Sequence, residues 1–80
     1  MDRALELKHL RKADANIAQA RERVVRQARL IKNLSSRGQD TSAGQSFLET
    51  MHCTLSVMEE HRLLILRELA ADAPPNWRKG

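Results

Sequence analysis

The amino-acid sequence contains few of the residues from which chemical sites are built. Among its 80 residues only Phe47 and Trp77 are aromatic, and Tyr is absent. A large ligand pocket with aromatic walls is therefore not expected. Cys53 is the single cysteine, which excludes a disulfide within the chain and a zinc site built from several cysteines.

Long apolar runs are missing as well. Charged residues make up 30% of the sequence, and no apolar stretch approaches the roughly 18 residues that a membrane span requires. The N-terminal sequence MDRALELKHLRK lacks the apolar segment of a secretion signal. These features predict a cytoplasmic protein that does not associate with membranes.

Glycine and proline, which interrupt helices, fall into only two stretches, 35–44 and 73–80. Ahead of the first stretch, apolar residues recur every seven positions and share one helical face. They are Leu10, Ile17, Val24 and Ile31. We therefore predict a helix over about 2–35, with Asp2 as its N-cap and Gly38 closing its C-terminus in the left-handed conformation.

A second helix is predicted over about 42–71. Asp40, Thr41 and Ser42 can each cap its start, and Ser42 with Gln45 fits a capping box. The following residues show one apolar helical face, with steps of three and four. That face contains Leu48, Met51, Leu55, Met58, Arg62, Ile65 and Leu69. Arg62 is its charged member, and it must reach the edge of the face or pair with an acid.

Two long helices joined by a short turn, here about 36–41, pack most simply as an antiparallel hairpin. The predicted fold class is therefore all-α, a coiled-coil-like two-helix hairpin that forms one domain over 1–72. Two adjacent prolines follow and cannot continue a helix, so 73–80 is predicted to be a flexible tail. Folding the chain at the turn brings Asp14 close to Arg62, and we expect the two to pair.

The chain has more apolar side chains than one hairpin can cover. Val25 and Leu30 lie off or at the edge of the apolar face of the first helix, as do four residues of the second helix. The four are Val57, Leu63, Leu64 and Leu66. Soluble monomers seldom expose such a patch, so we predict a homodimer, a twofold-symmetric four-helix bundle that buries it. A helix supplied by another protein is the alternative occupant.

Signals for catalysis or metal binding are weak. Glu49 and His52 have the ExxH spacing of di-iron carboxylate bundles, and Cys53 follows them. Such a centre also needs carboxylates from other helices, whereas Glu22 of the first helix lies opposite its apolar face. The remaining histidines have no nucleophile arranged beside them, and phosphate-binding loops are absent. We therefore predict a protein that is not an enzyme and that uses no metal or cofactor.

Positive charge predominates, with a net charge of +4 and a pI near 10.0. Five basic residues cluster in the second half of the first helix, namely Arg21, Arg23, Arg26, Arg29 and Lys32. This cluster makes nucleic acid an alternative partner. However, the five are spread around the helix, and no aromatic residue lies among them to stack on bases. The primary prediction is a protein–protein interaction or scaffold module, and the alternative is a small nucleic-acid-binding regulator.

The two helices and the turn share a pattern of residues with a group of small bacterial proteins. The pattern comprises His9-Leu10, Ala13, Ile17-Ala18, Arg23, Gln27, Ile31, Leu34, Gly38-Gln39-Asp40-Thr41-Ser42-Ala43, Leu48, His61-Arg62 and Leu69. It resembles helical-hairpin proteins of unknown function from rhizobium-like alpha-proteobacteria, over about residues 5–69. The Gly-x-Asp-Thr turn is its most specific part. The resemblance implies a bacterial cytoplasmic origin, and it brings no activity, cofactor or functional residue.

Overall fold

A computed structural model describes residues 2–71, and over this range the chain forms two α-helices and no strand. Helix α1 spans Arg3–Ser36 and helix α2 spans Ser42–Ala71. The helices contact each other along their length as an antiparallel hairpin, which confirms the all-α two-helix fold. The tail predicted for 73–80 lies outside the described residues.

Both ends of α1 are closed by the residues that the sequence indicates. The Asp2 carboxylate accepts hydrogen bonds from two free backbone N–H groups of the first turn, those of Ala4 at 3.0 Å and Leu5 at 3.4 Å. At the other end, Gly38 has a φ of 75°. The N–H of Gln39 donates to the Leu34 carbonyl at 3.1 Å, which is the pattern of a Schellman motif. The predicted roles of Asp2 and Gly38 are confirmed.

The start of α2 differs from the predicted capping box. The Asp40 carboxylate accepts hydrogen bonds from the hydroxyl and the backbone N–H of Ser42, at 2.6 and 2.9 Å. The side-chain amide of Gln45 donates to the Thr41 hydroxyl at 2.8 Å. The predicted pairing of Ser42 with Gln45 is therefore wrong, because the Ser42 hydroxyl donates to Asp40 and the Gln45 amide donates to Thr41 instead. Both hydrogen bonds from Ser42 lower the pKa of Asp40, and the bond from the hydroxyl has the larger effect.

The core of the hairpin is a single thin seam between the helices. Among residues 2–71, the buried ones are Ala13, Ile17, Ile65 and Leu69. Ala13, Ile65 and Leu69 form one cluster, against which the half-buried Leu10 packs. None of the described side chains is completely removed from solvent. One copy of the chain thus hides little apolar area, and a core of this size supplies little stability.

Charged side chains fix how the helices align. Arg62 donates a hydrogen bond to the Asp14 carboxylate, which confirms the predicted pair. Two turns further along α1, Arg21 Nη2 lies 2.9 Å from Glu59 Oε2. Both pairs are substantially exposed, so each adds little stability. Their main consequence is the antiparallel register, since a shifted register separates them.

The helices approach closely beside the turn. The Gln27 side-chain amide donates to the Gly44 carbonyl at 3.3 Å. A Cβ at Gly44 would lie 3.3 Å from the side chain of Ile31, a tight contact that shows how little room there is. Gln27 therefore uses its place in the apolar seam for an interhelical hydrogen bond, as expected of a polar residue that helps to set register.

Candidate interaction surface

Three of the four predicted interaction residues lie on the open side of α2. Val57, Leu63 and Leu64 are 64%, 50% and 53% exposed. Val57 and Leu64 stand well away from the apolar seam, because each residue of a helix turns its side chain by about 100°. Leu63 lies between this side and the interhelical groove, which it also lines. Leu66, the fourth, is half-buried. Leu66 directly follows the buried Ile65, so it stays at the edge of the seam.

A shallow depression lies on the outer side of α2, the side turned away from α1. It is lined by Glu60, Leu63, Leu64 and Arg67. Within residues 2–71, neither Glu60 nor Arg67 forms an ion pair, and both are exposed. We use the term outer face for the central strip of exposed α2 positions opposite the seam, at whose edge the exposed Val57 stands. They are Cys53, Ser56, Glu60, Leu63, Leu64, Arg67 and Ala71.

Further apolar side chains are exposed elsewhere, and the sequence analysis missed some of them. Val25 and Leu30 of α1 are 48% and 50% exposed, as expected. Phe47, at 57% exposed, was not singled out. It lines a groove with Leu30 and Met51, and Arg23 and Arg26 stand at the same groove. Phe47 directly precedes the seam residue Leu48. An aromatic residue in that position could have indicated a contact site beside the seam.

The groove along the ion-paired flank carries no free chemical group. It is lined by four charged residues and two apolar ones, namely Asp14, Arg21, Glu59, Arg62, Ile17 and Leu63. All four charged side chains are engaged in the two interhelical pairs. The two pairs therefore balance the charges that line this groove. Its evident role is to align the helices.

The five basic residues considered for nucleic acid line three depressions of the described structure. Arg21 is paired with Glu59, and Arg26 lies 3.6 Å from Glu22. Arg29 and Lys32 line a separate depression with Asn33 and Ser36. Arg23 stands at the groove beside Phe47. Carboxylates on Glu59 and Glu22 therefore balance part of this positive charge locally.

The residues weighed for metal chemistry are likewise not brought together. Within residues 2–71, no three His, Cys, Asp or Glu side chains lie close enough to hold an ion. Glu49, His52 and Cys53 are all exposed on α2.

Neither helix of the described segment has an apolar stretch long enough to cross a bilayer.

Comparison with protein-family models, with curated proteins and with solved structures finds no match to this chain.

Proposed function

We propose that this chain is a protein–protein interaction module without enzymatic activity, and that it works as a homodimer. The observation that carries the proposal is the exposure of Val57, Leu63 and Leu64 on one helix, α2, whose only partner within residues 2–71 is α1. Exposed apolar patches of this kind mark association surfaces. The thin core adds to the argument, because a second copy supplies the burial that one hairpin lacks.

The strength of the expected association follows from these side chains. Complete burial of a large aliphatic side chain is worth about 1.5 to 3 kcal/mol. Covering three half-exposed side chains in each of two copies therefore contributes about 5 to 9 kcal/mol. This is comparable to the cost of association, about 4 to 15 kcal/mol. We expect a reversible dimer that dissociates on dilution.

The dimer contains four helices related by a twofold axis, as the predicted four-helix bundle requires. A scaffold role is compatible with it, because the Phe47 groove and the depression at Arg29 and Lys32 lie outside the proposed contact. The cytoplasmic location and the bacterial origin belong to the same proposal. Protein is favoured over nucleic acid as the partner, because Arg21 and Arg26 are already engaged by carboxylates.

The test is the oligomeric state of the wild-type chain and of Leu64→Glu. Glu at position 64 places a carboxylate in the apolar contact, so the variant should be monomeric. Because position 64 is exposed and Glu favours helix, the hairpin itself should stay folded. Sedimentation velocity measures the state and circular dichroism measures helix content. Val25→Glu is the matched control, since Val25 is similarly exposed but lies on α1.

Dimeric wild type and Val25→Glu with a monomeric, helical Leu64→Glu support the proposal. A wild-type chain that stays monomeric at every concentration overturns self-association, and a dimeric Leu64→Glu overturns the assigned surface. An electrophoretic shift of labelled RNA or DNA that weakens with salt and disappears in Arg29→Glu would instead establish nucleic-acid binding.

A further inference from the structure

The outer face of α2 is symmetric along the chain. If the order of residues in α2 is reversed about the midpoint between positions 63 and 64, Leu63 and Leu64 exchange places. The same reversal exchanges Glu60 with Arg67, and it exchanges Ser56 with Ala71. Read in either direction, the face therefore presents a small residue, a charge, two leucines, a charge and a small residue. All of these residues are exposed.

An interface between identical copies needs this kind of pattern. In a twofold dimer the same patch is used by both copies, so every residue must find its complement within that patch. Two antiparallel helices related by an axis between positions 63 and 64 meet the requirement. Leucines face leucines at the centre, and opposite charges face each other on both sides.

We infer that two copies of the chain pair through the outer faces of their α2 helices, antiparallel, with Glu60 of each copy against Arg67 of the other. This inference rests on the proposed self-association and specifies its geometry. The four residues that line the outer depression, Glu60, Leu63, Leu64 and Arg67, are then the centre of the interface. The two ion pairs flank the four leucines contributed by the copies.

The charges select the antiparallel direction. In a parallel pairing with the same residues in contact, each Glu60 faces another Glu60 and each Arg67 faces another Arg67, which is repulsive. Neither side chain is occupied by another ion pair within residues 2–71, so both are available to a second copy. Ser56 and Ala71 are small, which lets the two backbones approach at the ends of the contact.

The geometry also sets the order of the four helices. Because the outer face is turned away from α1, the two α2 helices lie in the centre and the α1 helices on the outside. The dimer is thus an open form of the bundle, in which the interhelical seams of the two hairpins stay intact. Each copy keeps its Asp14–Arg62 and Arg21–Glu59 pairs.

Charge reversal tests the pairing. Glu60→Arg alone places two arginines against each other at both ends of the contact, and Arg67→Glu alone does the same with two glutamates. Each single variant should weaken dimerisation at least about tenfold. The double variant Glu60→Arg/Arg67→Glu restores the opposite charges and should restore the dimer. An equal mixture of the two single variants should likewise recover it as a heterodimer.

The controls separate this effect from a change in net charge. Glu68→Arg alters an exposed residue at the side of α2, and Arg11→Glu alters one on α1. Both should dimerise like wild type in sedimentation equilibrium. Circular dichroism of all variants should show unchanged helix content, since the substituted residues are exposed. Recovery on mixing independently shows that the single variants are folded.

A cross-link tests the direction of the helices. In a Cys53→Ser background, Ser56→Cys chains are mixed with Ala71→Cys chains and oxidised. The antiparallel arrangement predicts a mixed disulfide between 56 and 71, because the two positions face each other. Parallel pairing predicts cross-links between identical chains instead.

The results distinguish the inference from the proposed function. A wild-type dimer whose affinity is unchanged by either single charge reversal, or one that cross-links Ser56→Cys to itself, overturns the antiparallel pairing and leaves self-association standing. A monomeric wild-type chain overturns both.

Discussion

Leu64 and Ile65 are adjacent in the sequence and have opposite surroundings, which allows folding and association to be perturbed separately. Leu64 is 53% exposed on the outer face, and Ile65 is 4% exposed in the core cluster. Ile65→Ala removes three buried carbons, worth about 0.8 kcal/mol each, and leaves a cavity against Ala13 and Leu69. We expect it to lower the free energy of unfolding by about 2.5 to 4 kcal/mol.

Leu64→Ala removes the same number of carbons from a side chain that is half in water. At concentrations where the chain is monomeric, the expected loss is about 1 kcal/mol or less. The proposed dimer predicts that the loss grows at higher concentration, because dimerisation would then stabilise the wild type more than the variant. The dependence on concentration therefore separates the two residues.

Urea unfolding followed by circular dichroism, at low and at high protein concentration, measures both effects. The wild-type midpoint should rise with concentration, that of Leu64→Ala should rise less, and Ile65→Ala should be the least stable at both. Equal losses from the two substitutions, or a loss below about 1 kcal/mol for Ile65→Ala, would refute the assignment of one side chain to the core and the other to the surface.

Three further outcomes are expected. A double-mutant cycle of Asp14→Ala and Arg62→Ala should give a coupling of about 0.2 to 1 kcal/mol, because the pair is exposed; a coupling near zero would contradict the observed contact. Gly38→Ala should cost about 1 to 2 kcal/mol in thermal unfolding from its left-handed backbone alone, since no atom lies within 4 Å of the added carbon; an unchanged midpoint would contradict this. Asp40 has a lowered pKa, so its stabilising effect exists above the unfolded-state pKa and is lost as the pH falls through the folded-state value. Ser42→Ala removes the hydroxyl donor and keeps the backbone N–H, so it should raise the pKa of Asp40 in an NMR titration; an unshifted titration would exclude the hydroxyl's hydrogen bond as a cause.

The sequence was sufficient to predict the two helices, their antiparallel contact and the Asp14–Arg62 pair. Helical periodicity determines which residues share a face, and the length of the connection restricts how two helices can pack. The register then follows from folding the chain at Gly38, whose positive φ ends α1. These features depend on local pattern, which a single sequence contains.

The features that were missed depend on finer geometry. Leu66 lies at the edge of the seam, as expected, but its half-burial depends on the rotation of α2 against α1, which periodicity alone does not fix. At the start of α2, Asp40 competes with Gln45 for neighbouring partners, and the backbone path into the helix decides between them. Phe47 was missed because it lies beside the apolar face of α2, and periodicity identifies the residues of that face only.

The most direct test of the account is the mass of the wild-type chain in solution. Sedimentation equilibrium over a wide range of concentration should give twice the 9.1 kDa of one chain at high concentration and a reversible decline toward a single chain on dilution. A mass of one chain throughout, with the helices still folded, would contradict the claim that a second copy covers the outer face of α2.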